Sequence, residues 1–233
     1  MIFQDPISSL NPRRKIRDVI SEGLAVWGDA KGTWSQDRIE ELMMAVGIDP
    51  KFGDRRPHQF SGGQCQRIGI ARALALDPKV LICDEPVSAL DVSVQAQVLN
   101  LLEDMKKRYW LTLLFISHDL SVVKNVSDRI IVMYLGKACE IGDADELYER
   151  PRHPYTRALL ASIPEPAPTV DVAEGDIAGE LPSPINPPDG CRFNTRCPHA
   201  SPICQREEPQ MTRVGDSDHY VACHHPVEVT IAS

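Results

Sequence analysis

The sequence predicts an α/β protein. Apolar residues recur at helical spacing through the first third of the chain. Two short continuous apolar runs, Val80–Cys83 and Leu111–Ile116, then bracket another helical stripe. Past Tyr148 regular periodicity gives way to a segment rich in proline and cysteine.

Ile16, Val19, Ile20, Leu24 and Trp27 predict a helix over 16–27. Gly28 to Thr33 reads as a polar break. Ile39, Leu42, Met43 and Val46 follow the i, i+3, i+4, i+7 pattern of a second helix, which Gly47 ends. After the Asp54–Pro57 loop, a third helix is expected from about Gln64, carrying Ile68, Ala71, Arg72 and Leu74. Val80-Leu81-Ile82-Cys83 ends abruptly in two acids, as expected of a strand buried on both faces of a parallel sheet. Val94, Val98, Leu101, Leu102 and Met105 form a helical stripe before the second strand, giving a right-handed crossover. Ile130–Tyr134 and Lys137–Ile141 read as a hairpin turning at Leu135-Gly136. The tail holds most of the 19 prolines. Its Pro164–Pro168 and Pro182–Pro188 segments read as extended, and it shows no core of its own.

Composition excludes several classes. The net charge of −8 argues against a nucleic-acid surface, which needs clustered basic residues. No apolar run approaches the ~18 residues of a membrane span. The N-terminus carries no secretory pattern. Any membrane link is therefore expected to come through a partner.

Three short motifs carry chemistry. In open α/β sheets, ligands bind beyond the C-terminal ends of strands. Asp84 and Glu85 stand at such an end. A carboxylate there suits a Mg²⁺ ligand, and its neighbour suits a group that polarises water attacking a γ-phosphate. Ser61-Gly62-Gly63-Gln64 puts two glycines at a helix start, where N–H groups and the positive dipole end favour an anion. His118 closes the second strand at the same sheet edge, where an imidazole can bond a γ-phosphate. Taken singly, each also occurs as ordinary structure: a surface Asp-Glu pair, a helix entry, a strand-end histidine. Their order and extension through Gln66–Leu74 and Pro86–Asp91 add the weight.

Together, Phe60–Gln64, Val80–Glu85 and Phe115–Asp119 resemble the ATP-binding subunits of ABC transporters. Phe60 stands where that family more usually has Leu, and Cys65 where it has a polar or basic residue. The resemblance implies a partial ABC-type nucleotide-binding domain, with a helical subdomain plus part of a RecA-like sheet, followed by an irregular C-terminal extension. The divisions expected are 1–75, 76–147 and 148–233. The resemblance also implies ATP and Mg²⁺ as cofactors. Asp84 would serve the metal, and Glu85, His118 and Gln4 the reacting end of the chain's own nucleotide. Ser61, Gly62, Gly63 and Gln64, with Asp91, would act in nucleotide binding, the signature on a partner's ATP. Implied partners are transmembrane permease subunits, a second ATPase subunit and, indirectly, a solute-binding protein, at the cytoplasmic face of the membrane.

Ser8–Arg13 and Arg152–Leu160 are similar to the oligopeptide/dipeptide importer branch, as are Cys191, Cys197, Cys204 and Cys223. The spacing C-x5-C-x6-C-x18-C is not that of paired zinc knuckles. The resembled family implies a [4Fe–4S] cluster here in some members, and thiolates converging from loops can hold one. With His199, His219, His224 and His225 nearby, zinc stays open. Nickel or another small solute also stays open as the imported substrate. No G-x-x-x-x-G-K-[ST] loop occurs between Met1 and Ser233. Relative to the family the chain therefore reads as N-terminally truncated. By itself it is expected neither to bind ATP tightly nor to hydrolyse it; a truncated, non-catalytic partner that supplies only the signature is an alternative reading. A non-transport ABC ATPase is the other reading, but the coiled-coil insertions, tandem units or basic surfaces it would bring are not found.

Overall fold

The computed structural model describes residues 1–27, 36–163 and 179–227. The Gly28–Thr33 break and the Pro164–Pro168 segment lie outside them. The chain forms two compact units, Met1–Asp119 and Leu120–Ser233.

The first unit is built on helices α1 (Ile16–Trp27), α2 (Gln36–Ala45), α3 (Gly62–Leu74) and α4 (Val92–Tyr109). The apolar spacing of α1 buries Ile16, Val19, Ile20 and Leu24 along one stripe. Helix α3 is buried over most of its circumference, through Cys65, Gln66, Ile68, Gly69, Ile70, Ala71 and Leu74. Each such aliphatic side chain contributes on the order of 1.5–3 kcal/mol by leaving water. A helix held this tightly gives its N-terminus a fixed position, which matters for Ser61.

Strands β1 (Val80–Asp84) and β2 (Thr112–Ile116) pair in parallel from Val80↔Thr112 to Asp84↔Ile116, with α4 as the crossover. Ile2 adds a parallel bridge to Cys83: its N–H donates to the Ile82 carbonyl at 2.8 Å and its carbonyl accepts from Asp84 N–H at 3.0 Å. The expectation of strands buried on both faces is corrected. Leu81 and Cys83 are buried, but Val80 is 55% exposed, Leu114 49% and Ile116 45%. The core helices cover one face of the pair, so the other keeps contact with water.

In the second unit, α5 (Leu120–Val126) leads into the expected hairpin of β3 (Arg129–Tyr134) and β4 (Lys137–Asp143). It turns through Leu135 and Gly136, both at positive φ (44° and 78°), as a tight hairpin turn requires. Helices α6 (Ala144–Glu149), α7 (Pro154–Ala161) and α8 (Pro202–Arg206) follow, then β5 (Thr212–Arg213) and β6 (Tyr220–Val221). The sheet order is β3-β4-β6-β5, so the tail returns to add strands beside β4.

The tail is ordered by a core that it shares with the hairpin, which the sequence reading did not place. Phe193 is 1% exposed and packs edge-on to Tyr134 at 5.2 Å and tilted against Tyr155 at 5.3 Å. Its partners lie on β3 and α7, far back in sequence, which is why no local pattern announced them.

Candidate functional site

Glu85 immediately follows β1 and is the centre of the first site. Its backbone sits at φ 45°, a region costly for a residue with a Cβ. Neighbours on each side hold it there: its N–H donates to the Ile116 carbonyl at 2.9 Å, and its carbonyl accepts from Ser88 Oγ at 3.1 Å. The carboxylate receives two side chains. Gln4 Nε2 donates to Oε2 at 2.7 Å, and His118 Nδ1 lies 3.0 Å from Oε1. The His118 hydrogen bond is the chief reason the Glu85 carboxyl sits below its ordinary value, with Ser88 and Gln4 adding to it. Asp84, one residue earlier, closes β1 and is half-buried. Gln4, Glu85 and His118, far apart in sequence, thus meet at one sheet edge, one residue beyond Asp84.

Ser61 caps α3. Its Oγ accepts from Gln64 N–H at 3.3 Å, and Gln64 Oε1 accepts from Ser61 N–H at 3.0 Å, a complete capping box. A Cβ built on Gly63 would come within 2.5 Å of Val94 Cγ1, so that glycine lets the first turn of α4 approach α3 closely. Asp91 caps α4, accepting from Val94 N–H at 3.0 Å and Ser93 Oγ at 2.7 Å, and the Ser93 bond leads in lowering its carboxyl.

Three side chains brace this arrangement and were not singled out as site residues from sequence. Gln66, 1% exposed, donates to the Pro86 carbonyl at 2.7 Å, tying α3 to the segment after Glu85. Arg72 donates to the Ser9 carbonyl at 2.6 Å and lies over the Phe3 ring, fixing the segment that carries Gln4. Cys65, without a role from sequence, is buried and its thiol donates to the Pro57 carbonyl at 3.6 Å. For Gln66 and Arg72 the signal was the Gln66–Leu74 run itself, in which a buried glutamine and a half-buried arginine mark polar partners at the core.

The second site lies within the other unit. Cys191, Cys197, Cys204 and Cys223 line one pocket, with His153, Phe193, His199, His224 and His225 on its wall. All four are free thiols. Burial pushes the Cys191, Cys197 and Cys223 thiols up, Cys223 to about 12, and the other thiols add to this. Backbone N–H groups of Phe193 and Asn194 on Cys191, of His199 on Cys197 and of His225 on Cys223 pull the other way. Gly190 (φ 67°) allows the close approach, since a Cβ there would collide with the Cys204 carbonyl. Among the described residues, no group of three His, Cys, Asp or Glu is spaced to hold a single metal ion. His219 is not on the pocket wall. It is fully buried, its Nε2 2.7 Å from Glu140 Oε1 and its Nδ1 3.5 Å from Glu146 Oε1. That pairing removes it from the candidate ligands.

Known proteins are similar to this chain. Residues 1–88 match the ABC transporter family and residues 139–204 the oligopeptide/dipeptide transporter C-terminal region. The oligopeptide transport ATP-binding protein OppF of Escherichia coli (strain K12) is 53% identical over 226 residues, which is 96% of this chain and 67% of that protein. AppF of Bacillus subtilis (strain 168) is 54% identical over 226 residues, with 96% and 68% covered. This chain belongs to the ATP-binding subunits of ABC transporters, in the oligopeptide/dipeptide branch. Within that family, the di/tripeptide transport ATP-binding protein DppF of Pseudomonas aeruginosa (strain UCBPP-PA14) is 48% identical over 225 residues, 97% of this chain and 69% of that one. Among solved structures, cbiO1 from Clostridium perfringens, part of the ABC transporter complex cbiONQ, aligns with a TM-score of 0.55 at 31% identity. That match covers 64% of this chain, and the chain spans 58% of that one. Among the described residues no helix is long and apolar enough to cross a membrane.

Proposed function

We propose that this chain serves the ATP-driven step of peptide import, as an ATP-binding subunit docked on permease subunits at the cytoplasmic face of the membrane. The observation that carries this is the convergence of Gln4 and His118 on the Glu85 carboxylate, beside Asp84 at the end of β1. Mg²⁺ bound to ATP would take Asp84 as a ligand and neutralise charge developing on the phosphates. Glu85, kept ionised by His118, would accept a hydrogen bond from the attacking water. His118 places Nδ1 on Glu85, which leaves Nε2 for a phosphate oxygen. Ser61, Gly62, Gly63 and Gln64 would act on ATP held by a second ATPase subunit, with Asp91 ordering the α4 entrance next to them. The solute-binding protein and the imported peptide meet the permease rather than this chain.

The 233 residues contain no G-x-x-x-x-G-K-[ST] loop, so no backbone nest or lysine among them cradles the β- and γ-phosphates. We therefore expect the 233-residue chain by itself to bind ATP weakly and not to turn it over. ATPase assays on the purified chain, with Glu85→Gln as control, test this: hydrolysis that disappears in the variant overturns the expectation. The complete capping box at Ser61 favours a second role, in which the chain supplies its signature to a partner that carries the loop. Co-purification with such a partner, with ATPase activity lost on Ser61→Arg, supports that role.

The four cysteines fit a metal–thiolate group, on the chemistry of the donors. All four ligand atoms are sulfur, and amide N–H groups favour the thiolate at three of them. Zinc needs its sulfurs within about 2.3 Å of one point, whereas an iron–sulfur cluster places each thiolate on a separate iron. Four thiolates brought to one pocket from separate segments suit the cluster. Bound here, it would supply a covalent tie among loops with a small core. Iron and acid-labile sulfide in anaerobically prepared protein are the measurement.

A further inference from the structure

The four pocket cysteines do not have the same partners. Cys191, Cys197 and Cys223 each face a backbone N–H two residues further along the chain, Cys191 a second from Asn194. Cys204 faces a side chain: its Sγ is 3.6 Å from Ser201 Oγ, across the first turn of α8. Ser201 Oγ is in turn 2.7 Å from His225 Nε2. His225 also donates its backbone N–H to Cys223 Sγ at 3.3 Å. One residue thus reaches two of the four sulfurs, through its main chain and through a serine.

Valence fixes the direction of this chain of contacts once the pocket is loaded. A metal-bound thiolate has no proton and can only accept. The Ser201 hydroxyl has a single hydrogen. If that hydrogen points at Cys204, the oxygen must accept from His225, which therefore carries its proton on Nε2. With Cys204 as a free thiol the same three atoms can be satisfied in the reverse order. Loading the pocket therefore selects one of two hydrogen-bond directions.

We infer that Ser201, oriented by His225, is the hydrogen-bond donor to the Cys204 thiolate of this pocket and tunes the metal group held there. The inference rests on the metal–thiolate reading above. Hydrogen bonds to ligating sulfur draw charge off the thiolate, weaken its bond to iron and favour the reduced cluster. Removing this one lowers the reduction potential and strengthens the Cys204 iron–sulfur bond. Ser201 is a positioning residue in this role, since it does not itself touch the metal.

The test loads the full 233-residue chain anaerobically with ferrous iron and sulfide, and compares wild type with Ser201→Ala and Ser201→Thr. Expected are equal iron contents, a midpoint potential shifted down in the alanine variant, and an iron–sulfur stretch shifted up in its resonance Raman spectrum. The threonine variant, which keeps the hydroxyl, stays at wild-type values. Alanine that fails to load where threonine loads overturns the tuning role, because the hydroxyl is then needed to hold the group at all. Failure of both variants to load overturns it, since the site then needs the shape of serine and not its proton. An unchanged potential and stretch in loaded Ser201→Ala overturns the inference while the metal–thiolate reading stands. Wild type that takes up neither iron nor sulfide overturns both.

Discussion

His118 Nδ1 lies 3.0 Å from Glu85 Oε1, while 75% of the His118 side chain stays exposed and only 24% of Glu85 does. The histidine therefore reaches the carboxylate from the solvent side, with Nδ1 donating to it. This contact is the leading cause of the lowered Glu85 carboxyl, ahead of Ser88 and Gln4. His118→Ala should return the Glu85 titration toward its ordinary value of 4.5, followed by carbon NMR of the side-chain carboxyl. The sign for stability follows from a folded pKa below the unfolded one. The contribution is present above about 4.5 and lost as pH falls through the folded value. Wild type and His118→Ala should therefore differ most near neutrality and converge in acid. An unshifted Glu85 titration in the variant would show that the contact is not made in solution.

The two signature glycines should respond differently to alanine. At Gly63 the new Cβ meets Val94 Cγ1 at 2.5 Å, so the α3–α4 contact must open. At Gly62 the nearest atom is Leu90 Cδ2 at 3.7 Å, an ordinary van der Waals distance. Gly63→Ala is expected to destabilise by about 1–3 kcal/mol, the usual range for overpacking. Gly62→Ala should be neutral or slightly stabilising, since alanine is the better helix former. Urea melts followed by far-ultraviolet circular dichroism separate the two. Equal losses would mean that α3 and α4 do not approach as closely as described.

Much of this fold was legible because its signals are local. The apolar stripe of α1 marked that helix, and the Leu135-Gly136 pair marked the hairpin turn. The order of Glu85 and His118 pointed to one sheet edge before their contact was visible. What could not be read were pairings whose partners lie far apart. Nothing near Phe193 announces Tyr134, and nothing near His219 announces Glu140, 79 residues away. Strand exposure failed for a related reason. The run Leu111–Ile116 says that the strand is apolar, not what covers it, and one face of the β1–β2 pair stays open to water.

Glu140 is fully buried and accepts three hydrogen bonds: from Arg152 N–H at 2.6 Å, His153 N–H at 3.0 Å and the His219 ring at 2.7 Å. It therefore joins β4, the entry to α7 and the segment before β6 at one point. Glu140→Ala leaves three donors without a partner and is expected to cost about 3–5 kcal/mol, the range for breaking a buried pair. The double change Glu140→Leu with His219→Phe should recover part of this. Recovery stays incomplete because the two backbone N–H groups remain unpaired. Hydrogen exchange of peptides from β4, α7 and β6 reads the effect. Protection unchanged in Glu140→Ala would remove the residue from any role in joining these elements.

His153 gives the second unit a separate dependence on acid. Its ring is 1% exposed, and burial lowers its pKa from 6.5 to about 4. Its Nδ1 accepts the Tyr155 N–H at 3.0 Å as the cap of α7, a bond only an unprotonated Nδ1 can take. The fold therefore selects the neutral ring, while the unfolded chain takes up a proton near 6.5. The resulting stability is intact above about 6.5, declines as pH falls, and is gone below about 4. The drop across that window is on the order of 3 kcal/mol, at about 1.4 kcal/mol for each tenfold difference in proton affinity between the folded and unfolded chain. His153→Asn keeps an acceptor at the cap and removes the titration. It should lower stability at neutral pH, where the packed ring is lost, yet flatten the slope between pH 6.5 and 4. Unfolding free energies of the two proteins across that range decide the matter, and parallel slopes would assign the acid sensitivity to other groups.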